Sequence, residues 1–324
     1  SGAISNANFG QYFDLIYEQE QEKLIIATSD ISYYDGSNYV GAVYSITASL
    51  IDNKWQWSPK SLIKVGTINQ DGVGTGVSII SCSSGYQIFF GEMNDTGINE
   101  LLVATSIDGY SWNTPVAIAQ GTNTNSLLGK NSISAKDFNG KSYVFFSEPQ
   151  AEIYNLGKEG AVYVVTSSED NTWPLSTTYL DKKLLYSRLI EDDNSLYLNR
   201  SDSIKTFIGN DNRLYYAFGN AISGIEKTAE FFIGYVDSFE NFQTLQDRDY
   251  FLINNDLDND GFLAVGVTGY YKENYYLPIF FTNVSDGTYH NIKAIKNNIF
   301  TEFTLKVSGS EKYYKHAALE PFFA

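Results

Sequence analysis

Short apolar segments alternate with turn-forming residues along the whole chain. Around residue 100, four short segments have the length and apolar content of β-strands: Gly76–Ser81, Tyr86–Phe90, Glu100–Thr105 and Trp112–Ile118. Gly, Ser and Asn stand between the segments, where tight turns require them. Because no stretch has the periodicity of a long amphipathic helix, the pattern predicts an all-β protein whose strands pair in sequence.

The same pattern returns before and after this stretch, so the chain is read as a series of similar units. The further predicted strands are Tyr12–Tyr17, Lys23–Ala27 and Gly41–Thr47; Ser132–Asp137, Ser142–Phe146, Ala161–Thr166 and Trp173–Tyr179; Ser203–Ile208, Leu214–Phe218 and Glu230–Val236; and Phe262–Thr268, Tyr276–Phe281, His290–Ile295 and Phe300–Val307. Four short strands per unit, joined in order, are typical of β-propeller blades.

A short motif marks each unit at the predicted turn between its third and fourth strands. In Ser106–Trp112, Ser stands six residues before Trp, with Asp-Gly between them, and the same spacing recurs in Ser167–Trp173 and Ser49–Trp55. Weaker copies, Val236–Phe242 and Ala294–Phe300, keep the aromatic residue. The three Trp residues are expected to be structural and to pack at these turns.

The motif divides the chain into five units. Its aromatic residues lie at positions 55, 112, 173, 242 and 300, which gives units of about 60 residues. We therefore predict a five-bladed β-propeller of four-stranded antiparallel blades, formed by residues 1–324 as a single domain. The approximate blades are 1–65, 66–122, 123–183, 184–250 and 251–324.

Composition excludes several classes of function. The net charge of −16 disfavours nucleic acid and anionic membranes, both of which select basic surfaces. A single Cys and two His argue against a disulfide framework, a His-based zinc site and a Ser-His-Asp triad. No apolar run is long enough for membrane insertion. Because the chain starts with Ser, we expect a mature or excised fragment of an extracellular or cell-surface protein.

Polar residues end the second strand of every unit. A small residue is followed there by an acid or an amide, and these polar residues are Asp30, Glu92, Glu148, Asn220 and Asn283. The adjoining loops between the second and third strands are long and rich in Asn, Gly, Ser and Tyr, including Tyr33, Tyr34, Tyr39 and Tyr154. These polar groups could bond neighbouring backbone or bind a hydroxyl-rich ligand such as a glycan, whose rings stack on Tyr.

The Ser106–Trp112 turn resembles the Asp-box of sialidase-type propellers and a similar turn of five-bladed glycoside hydrolases. In those families the turn is structural and lies away from the active face. Sialidase activity would require three arginines and an early Arg-Ile-Pro, but no Arg precedes Arg188. The five-bladed hydrolases place three carboxylates on first strands, and the candidates here are Asp14, Asp202 and Asp260.

A second candidate site lies between the fourth and fifth units. Asp256, Asp258 and Asp260 alternate before Gly261, as in the first half of a calcium-binding loop, although the closing acid is missing. Calcium is therefore a possible cofactor, and the other interpretation is a solvated acidic turn. Arg200 and Asp202 lie on the equivalent loop of the previous unit and could share a polar pocket with Asp260.

Two functions remain after these exclusions. The long loops between second and third strands, together with those between units, are expected on one face of the propeller, the long-loop face. The preferred prediction is a lectin-like propeller that binds glycans on this face without catalysis. The predicted binding residues are Asp30, Glu92, Glu148, Asn220, Asn283, Arg200 and Asp202. The alternative is a glycoside hydrolase that uses axial carboxylates, because such an enzyme would use the same face and the same residue types.

Overall fold

The computed structural model describes only part of the chain. The described residues are 9–67, 73–130, 132–153, 160–174, 179–187, 204–208, 212–222, 228–236, 241–242, 262–265, 279–282, 289–296 and 299–306. They contain twenty β-strands and one short 3-10 turn, Glu169–Asn171, so the all-β prediction is confirmed. The chain divides into two compact units, residues 1–189 and residues 190–324. None of the described elements is a helix long and apolar enough to cross a membrane.

Three antiparallel sheets make up the described part of the first unit. Sheet 1 contains β1 (Phe9–Glu18), β2 (Lys23–Asp30), β3 (Ala42–Ile51), β4 (Lys54–Trp57) and β5 (Ser61–Val65). Sheet 2 contains β6 (Val77–Cys82), β7 (Gly85–Met93), β8 (Ile98–Ser106) and β9 (Val116–Thr124). Sheet 3 contains β10 (Ile133–Phe138), β11 (Lys141–Glu148), β12 (Ala161–Thr166) and β13 (Lys183–Ser187).

Each sheet is a meander in which consecutive strands pair, as the sequence pattern predicts. Sheet 1 differs because its outer edge is split, so that β4 pairs with the end of β3 while β5 pairs with the beginning of β3. The first strands of successive sheets are neighbours, since β6 lies against both β1 and β10. This places the second-strand ends of the three sheets on one side of the unit.

The core lies between the faces of successive sheets. Alternate residues of sheets 1 and 2, including Ile25, Val43 and Phe90, form one buried cluster, and the opposite face of sheet 2 packs on sheet 3 through Phe89 and Phe146. Sheet 2 is therefore buried on both faces, which explains why β7 reads as a nearly continuous apolar run. Burial of these side chains is the main favourable contribution to folding.

The described part of the second unit contains two more antiparallel sheets. One contains β14 (Lys205–Ile208), β15 (Leu214–Ile222) and β16 (Thr228–Val236), and an isolated bridge joins Val236 to Phe242. The other contains β17 (Phe262–Val265), β18 (Ile279–Thr282), β19 (Tyr289–Lys296) and β20 (Ile299–Lys306). The weak motif copy at residues 294–300 falls on the β19–β20 hairpin, in which Lys296 pairs with Ile299.

The predicted fourth strands of the second and third units are placed too early. The sequence pattern predicts that they begin at Trp112 and Trp173, whereas β9 begins at Val116 and β13 at Lys183. Residues 175–178 of the second predicted strand lie outside the described residues. The observed strands begin later because each Trp ring turns back onto the preceding sheet instead of joining its own sheet edge. The indole nitrogen of Trp112 donates to Ser45 Oγ at 2.8 Å, and that of Trp173 donates to Gln87 Oε1 at 2.9 Å.

Candidate functional site

Three acids occupy equivalent positions at the ends of second strands in the first unit. Asp30 pairs with Ala42, Glu92 with Glu100 and Glu148 with Ala161, in each case across the second and third strands. All three acids are buried. A buried carboxylate requires hydrogen bonds or a countercharge, so the surroundings of each acid decide what it can do.

Glu148 is held by a full set of partners. Lys182 Nζ lies 2.5 Å from Glu148 Oε2, while the backbone nitrogen and hydroxyl of Thr122 both donate to Oε1. The ammonium also donates to Gln120 O at 2.8 Å and lies over the Tyr163 ring. Burial lowers the pKa of Lys182, and the adjacent Glu148 carboxylate opposes that effect. Glu148 therefore joins strand β9 of sheet 2 to sheet 3.

Glu92 connects sheets 1 and 2. Its Oε2 lies 3.1 Å from Lys64 Nζ, which belongs to β5. Glu100, directly opposite Glu92 in the sheet, accepts hydrogen bonds from Asn94 Nδ2 at 2.7 Å and from the Tyr179 hydroxyl at 2.5 Å. Burial, followed by the bond to Glu100, raises the pKa of Tyr179 to about 12. Two carboxylates thus lie side by side, each with its own partners.

Asp30 differs from the other two acids because one of its carboxylate oxygens has no hydrogen-bond partner within the described part of the chain. Asp30 is completely buried, and its Oδ1 accepts a bond from the backbone nitrogen of Ser32 at 3.2 Å. Its Oδ2 and the Ser29 hydroxyl have no hydrogen-bond partner among the described residues. Burial, followed by the charges of Tyr33 and Asp30, raises the pKa of Tyr44 to about 12. A buried polar atom without a partner costs free energy, so Asp30 marks a site that a water or ligand group could satisfy.

Asp14 lies within β1 and binds the neighbouring sheet. Its Oδ2 accepts bonds from the Ser78 hydroxyl at 2.8 Å and from the backbone nitrogen of Ile79 at 3.0 Å, and Oδ1 accepts one from Leu15 at 2.9 Å. The Ser78 hydroxyl also accepts a bond from the Ala135 nitrogen at 3.0 Å. Asp14 and Ser78 therefore link the first strands of all three sheets in the unit.

Strand register identifies the positions equivalent to Asp14 in the other sheets. Each lies opposite the residue three places before the polar end of the second strand, and they are Ser78, Ser134, Lys205 and Ala264. Among these paired positions, Asp14 carries the one carboxylate. A second acid for acid-base chemistry must therefore come from another level of the strands or from the loops.

Several predicted site residues lie outside the described residues. These are Arg200, Asp202, Asp256, Asp258, Asp260 and Asn283. For Asn220 the structure describes only the backbone, which pairs with Glu230. No group of three or more potential metal ligands occurs among the described residues. The calcium site at 256–260 and the shared polar pocket therefore stay predictions.

Sequence reasoning missed the cations that accompany the buried acids. The second-strand repeat indicated where Glu92 and Glu148 stand, and a buried acid calls for a positive partner. With 22 Lys and Arg in the chain, however, no local signal selects Lys64 or Lys182. Lys64 lies on a different sheet from Glu92, and Lys182 follows Glu148 by 34 residues.

Known structures show which architecture this arrangement of sheets resembles. A thermostable family-43 glycoside hydrolase superposes with a TM-score of 0.51 at 10% identity, covering 95% of this chain and 96% of that one. The α-L-arabinanase of Penicillium chrysogenum complexed with arabinobiose also superposes with a TM-score of 0.51 at 10% identity, covering 91% and 92%. The fold is similar to that of glycoside hydrolases.

These neighbours are five-bladed propellers, which agrees with the resemblance drawn from the Ser106–Trp112 turn. A scan against protein-family models and a search of curated proteins both found no match. At this level of identity the likeness concerns the fold.

Proposed function

We propose that the chain is a five-bladed β-propeller of the glycoside hydrolase type that acts on a neutral polysaccharide at its long-loop face. The observation that supports this proposal most strongly is the likeness to a family-43 glycoside hydrolase along nearly the whole length of both chains. The arabinobiose complex of the second neighbour makes arabinose-containing glycans the first substrates to test. A net charge of −16 disfavours polyanionic substrates.

The candidate acids divide into two groups under this proposal. Asp202 and Asp260 are the pair to test first as acid and base, because cleavage requires two carboxylates on opposite sides of the glycosidic bond. Asp14 would serve as a positioning residue, since both of its oxygens accept hydrogen bonds from the protein. Asp30 and Glu92 are buried at the second-strand ends, so they would act on the substrate through the groups that they hold in place.

The decisive experiment is a hydrolysis screen on chromogenic arabinofuranosides, other chromogenic glycosides and arabinan. Turnover should be measurable, and Asp202→Asn and Asp260→Asn should each lower kcat by about 100-fold or more while substrate still binds. Asp52→Asn is the matched control, because Asp52 lies in the turn between β3 and β4 at the opposite ends of the strands. A protein that turns over no substrate, or variants that keep full kcat, would contradict the hydrolase assignment.

A glycan-binding propeller without catalysis is the second candidate. It is favoured by the carboxylates of Asp14 and Glu148, whose oxygens already accept hydrogen bonds from the protein. These two carboxylates are therefore poorly suited to proton transfer. A glycan array run beside the hydrolysis screen separates the two functions. Binding without turnover, weakened by Asp202→Asn through a lost charge-assisted bond of about 1–3 kcal/mol, would select the lectin.

The proposal also includes a calcium ion bound by Asp256, Asp258 and Asp260. It further includes an extracellular or cell-surface location. Calcium bound to the native state must raise the melting temperature. Thermal melts with millimolar calcium and with chelator should therefore differ, and should coincide in the Asp258→Asn variant. Identical melts of the unaltered protein would remove calcium from the proposal.

A further inference from the structure

A small, tightly bonded hairpin projects from sheet 1 immediately after Asp30. The backbone nitrogen of Val40 donates to Tyr33 O at 2.9 Å, and that of Asp35 donates to Asn38 O at 3.1 Å. At the tip, Asp35 Oδ1 accepts bonds from the backbone nitrogens of Ser37 at 2.7 Å and Asn38 at 2.8 Å. These bonds lower the pKa of Asp35, so the tip stays charged and closed at neutral pH.

Two tyrosine rings stand on this hairpin with much of their surface in water. Tyr34 and Tyr39 form an isolated β-bridge, and their exposed fractions are 38% and 52%. Their ring centroids lie 5.3 Å apart at an interplanar angle of 49°. The Tyr34 hydroxyl donates to Gly36 O at 2.9 Å, which fixes that ring further. The hairpin thus holds the two aromatic faces in place before any ligand arrives.

The hairpin is joined directly to the candidate site. Tyr33 N donates to Asp30 O at 3.1 Å, and Ser32 N donates to the Asp30 carboxylate. Asp30 Oδ2, for which the described residues provide no hydrogen-bond partner, therefore lies at the base of the same hairpin that carries the exposed rings. Aromatic faces next to hydrogen-bonding groups are the combination that binds sugars, because the rings pack on C–H faces while polar groups bind hydroxyls.

We infer that Tyr34 and Tyr39 form a stacking platform for a saccharide chain that extends from the candidate site. This inference rests on the proposed function and adds to it the residues that would hold the polysaccharide chain beyond the candidate site. Preorganised rings lose little conformational entropy on binding, which favours this use of an exposed pair. Asp35, which stays charged at the tip, disfavours acidic glycans and makes a neutral chain the partner.

Affinity electrophoresis in gels containing arabinan or other neutral polysaccharides tests the platform. Tyr39→Ala and Tyr34→Ala should each weaken retention of the full chain about three- to tenfold, as expected for the loss of one aromatic contact. Tyr39→Phe keeps the ring and should keep most of the retention. Tyr110→Ala is the matched control, since Tyr110 is 43% exposed but lies in the turn after β8, at the opposite ends of the strands.

Turnover of a small chromogenic glycoside, measured on the same variants, separates this inference from the proposed function. Weaker polymer retention by the Tyr34 and Tyr39 variants supports the platform, with small-substrate turnover unchanged where turnover exists. If the unaltered protein retains polysaccharide without turning over any substrate, the platform stands and the hydrolase fails. If Tyr39→Ala retains polymer fully, or changes only the oligomeric state of the protein, the platform is wrong. Absence of retention by the unaltered protein in every polysaccharide also overturns it.

Discussion

The turns Ser49–Trp55 and Ser106–Trp112 share the spacing of Ser and Trp but have different structures. In the first, Asp52 and Asn53 both adopt the left-handed conformation, with φ of 51° and 59°, and close a two-residue hairpin between β3 and β4. In the second, Asp108 Oδ1 accepts bonds from the Ser106 hydroxyl and from the backbone nitrogens of Tyr110 and Ser111, and a longer loop joins β8 to β9 in place of a two-residue hairpin.

The difference decides where each Trp ring lies. Trp55 pairs with Leu50 inside its own sheet, packs edge-on against Tyr17 and remains 40% exposed. Trp112 lies outside the strands and bonds to Ser45 of the preceding sheet. The expectation that both are packed structural residues is therefore confirmed for Trp112 and not for Trp55. The motif therefore stabilises the fold where the Trp ring that ends it packs against a neighbouring sheet.

In the third copy of the motif, Ser167–Trp173, the Trp ring also packs on the preceding sheet and is the most buried of the three. Trp173 packs edge-on against Phe89 and donates to Gln87 of the preceding sheet. Gln87 Oε1 also accepts a hydrogen bond from the Ser142 hydroxyl, and the side-chain amide nitrogen of Gln87 donates to Asn171 O at 2.6 Å. One buried Gln thus joins the turn of sheet 3 to sheet 2, and the three Trp residues form a series of increasing burial.

Trp173→Ala should have the largest effect in this series. Removing a buried Trp leaves a cavity and also leaves Gln87 Oε1 with one bond fewer, so the expected loss is about 3–5 kcal/mol in the free energy of unfolding. Urea denaturation measures it. A loss smaller than that of Trp112→Ala would contradict the order of burial.

Trp112→Ala should come second, with a loss of about 2 kcal/mol, because the ring is only half buried. Trp112→Phe keeps part of the packing but cannot donate to Ser45, so it should recover part of the loss. The same denaturation measurement compares the two variants. Equal stabilities for Ala and Phe would assign the whole effect to the hydrogen bond.

Asp108→Asn should have a smaller effect that depends on pH. The hydrogen bonds from Ser111 and Tyr110 lower the pKa of Asp108, so its contribution is present above the ordinary aspartate pKa and is lost as pH falls through the lowered value. The unaltered protein and Asp108→Asn should therefore differ at neutral pH and converge in acid. A difference that stays constant from pH 7 to pH 2 would show that the charge is irrelevant.

Trp55→Ala should have the smallest effect, at most about 1 kcal/mol, since the ring loses mainly its contact with Tyr17. Tyr17→Ala in the Trp55→Ala background measures their coupling in a double-mutant cycle. A loss as large as that of Trp173→Ala would mean that Trp55 is buried in solution, and the contrast between the two turns would disappear.

Local pattern was enough to predict the strands and their order. The short apolar segments between turn residues place β2, β7, β8 and β19 within a few residues of their observed bounds, because each strand and turn depends on neighbours in sequence. The same locality explains why the buried acids Asp30, Glu92 and Glu148 could be identified as a repeat. The five-blade count and single-domain organisation remain predictions from that repeat.

Only the tertiary structure decided which groups meet at the strand ends and the motif turns. Lys64 reaches Glu92 from another sheet, and Lys182 reaches Glu148 across 34 residues. Asp30 occupies the equivalent position, but its Oδ2 has no hydrogen-bond partner among the residues that the structure describes. The Trp turns differ for the same reason, since Trp112 reaches Ser45 across 67 residues whereas Trp55 stays at its own sheet edge. Sequence periodicity specifies which face a side chain occupies, but the partner on that face is set by packing between distant segments.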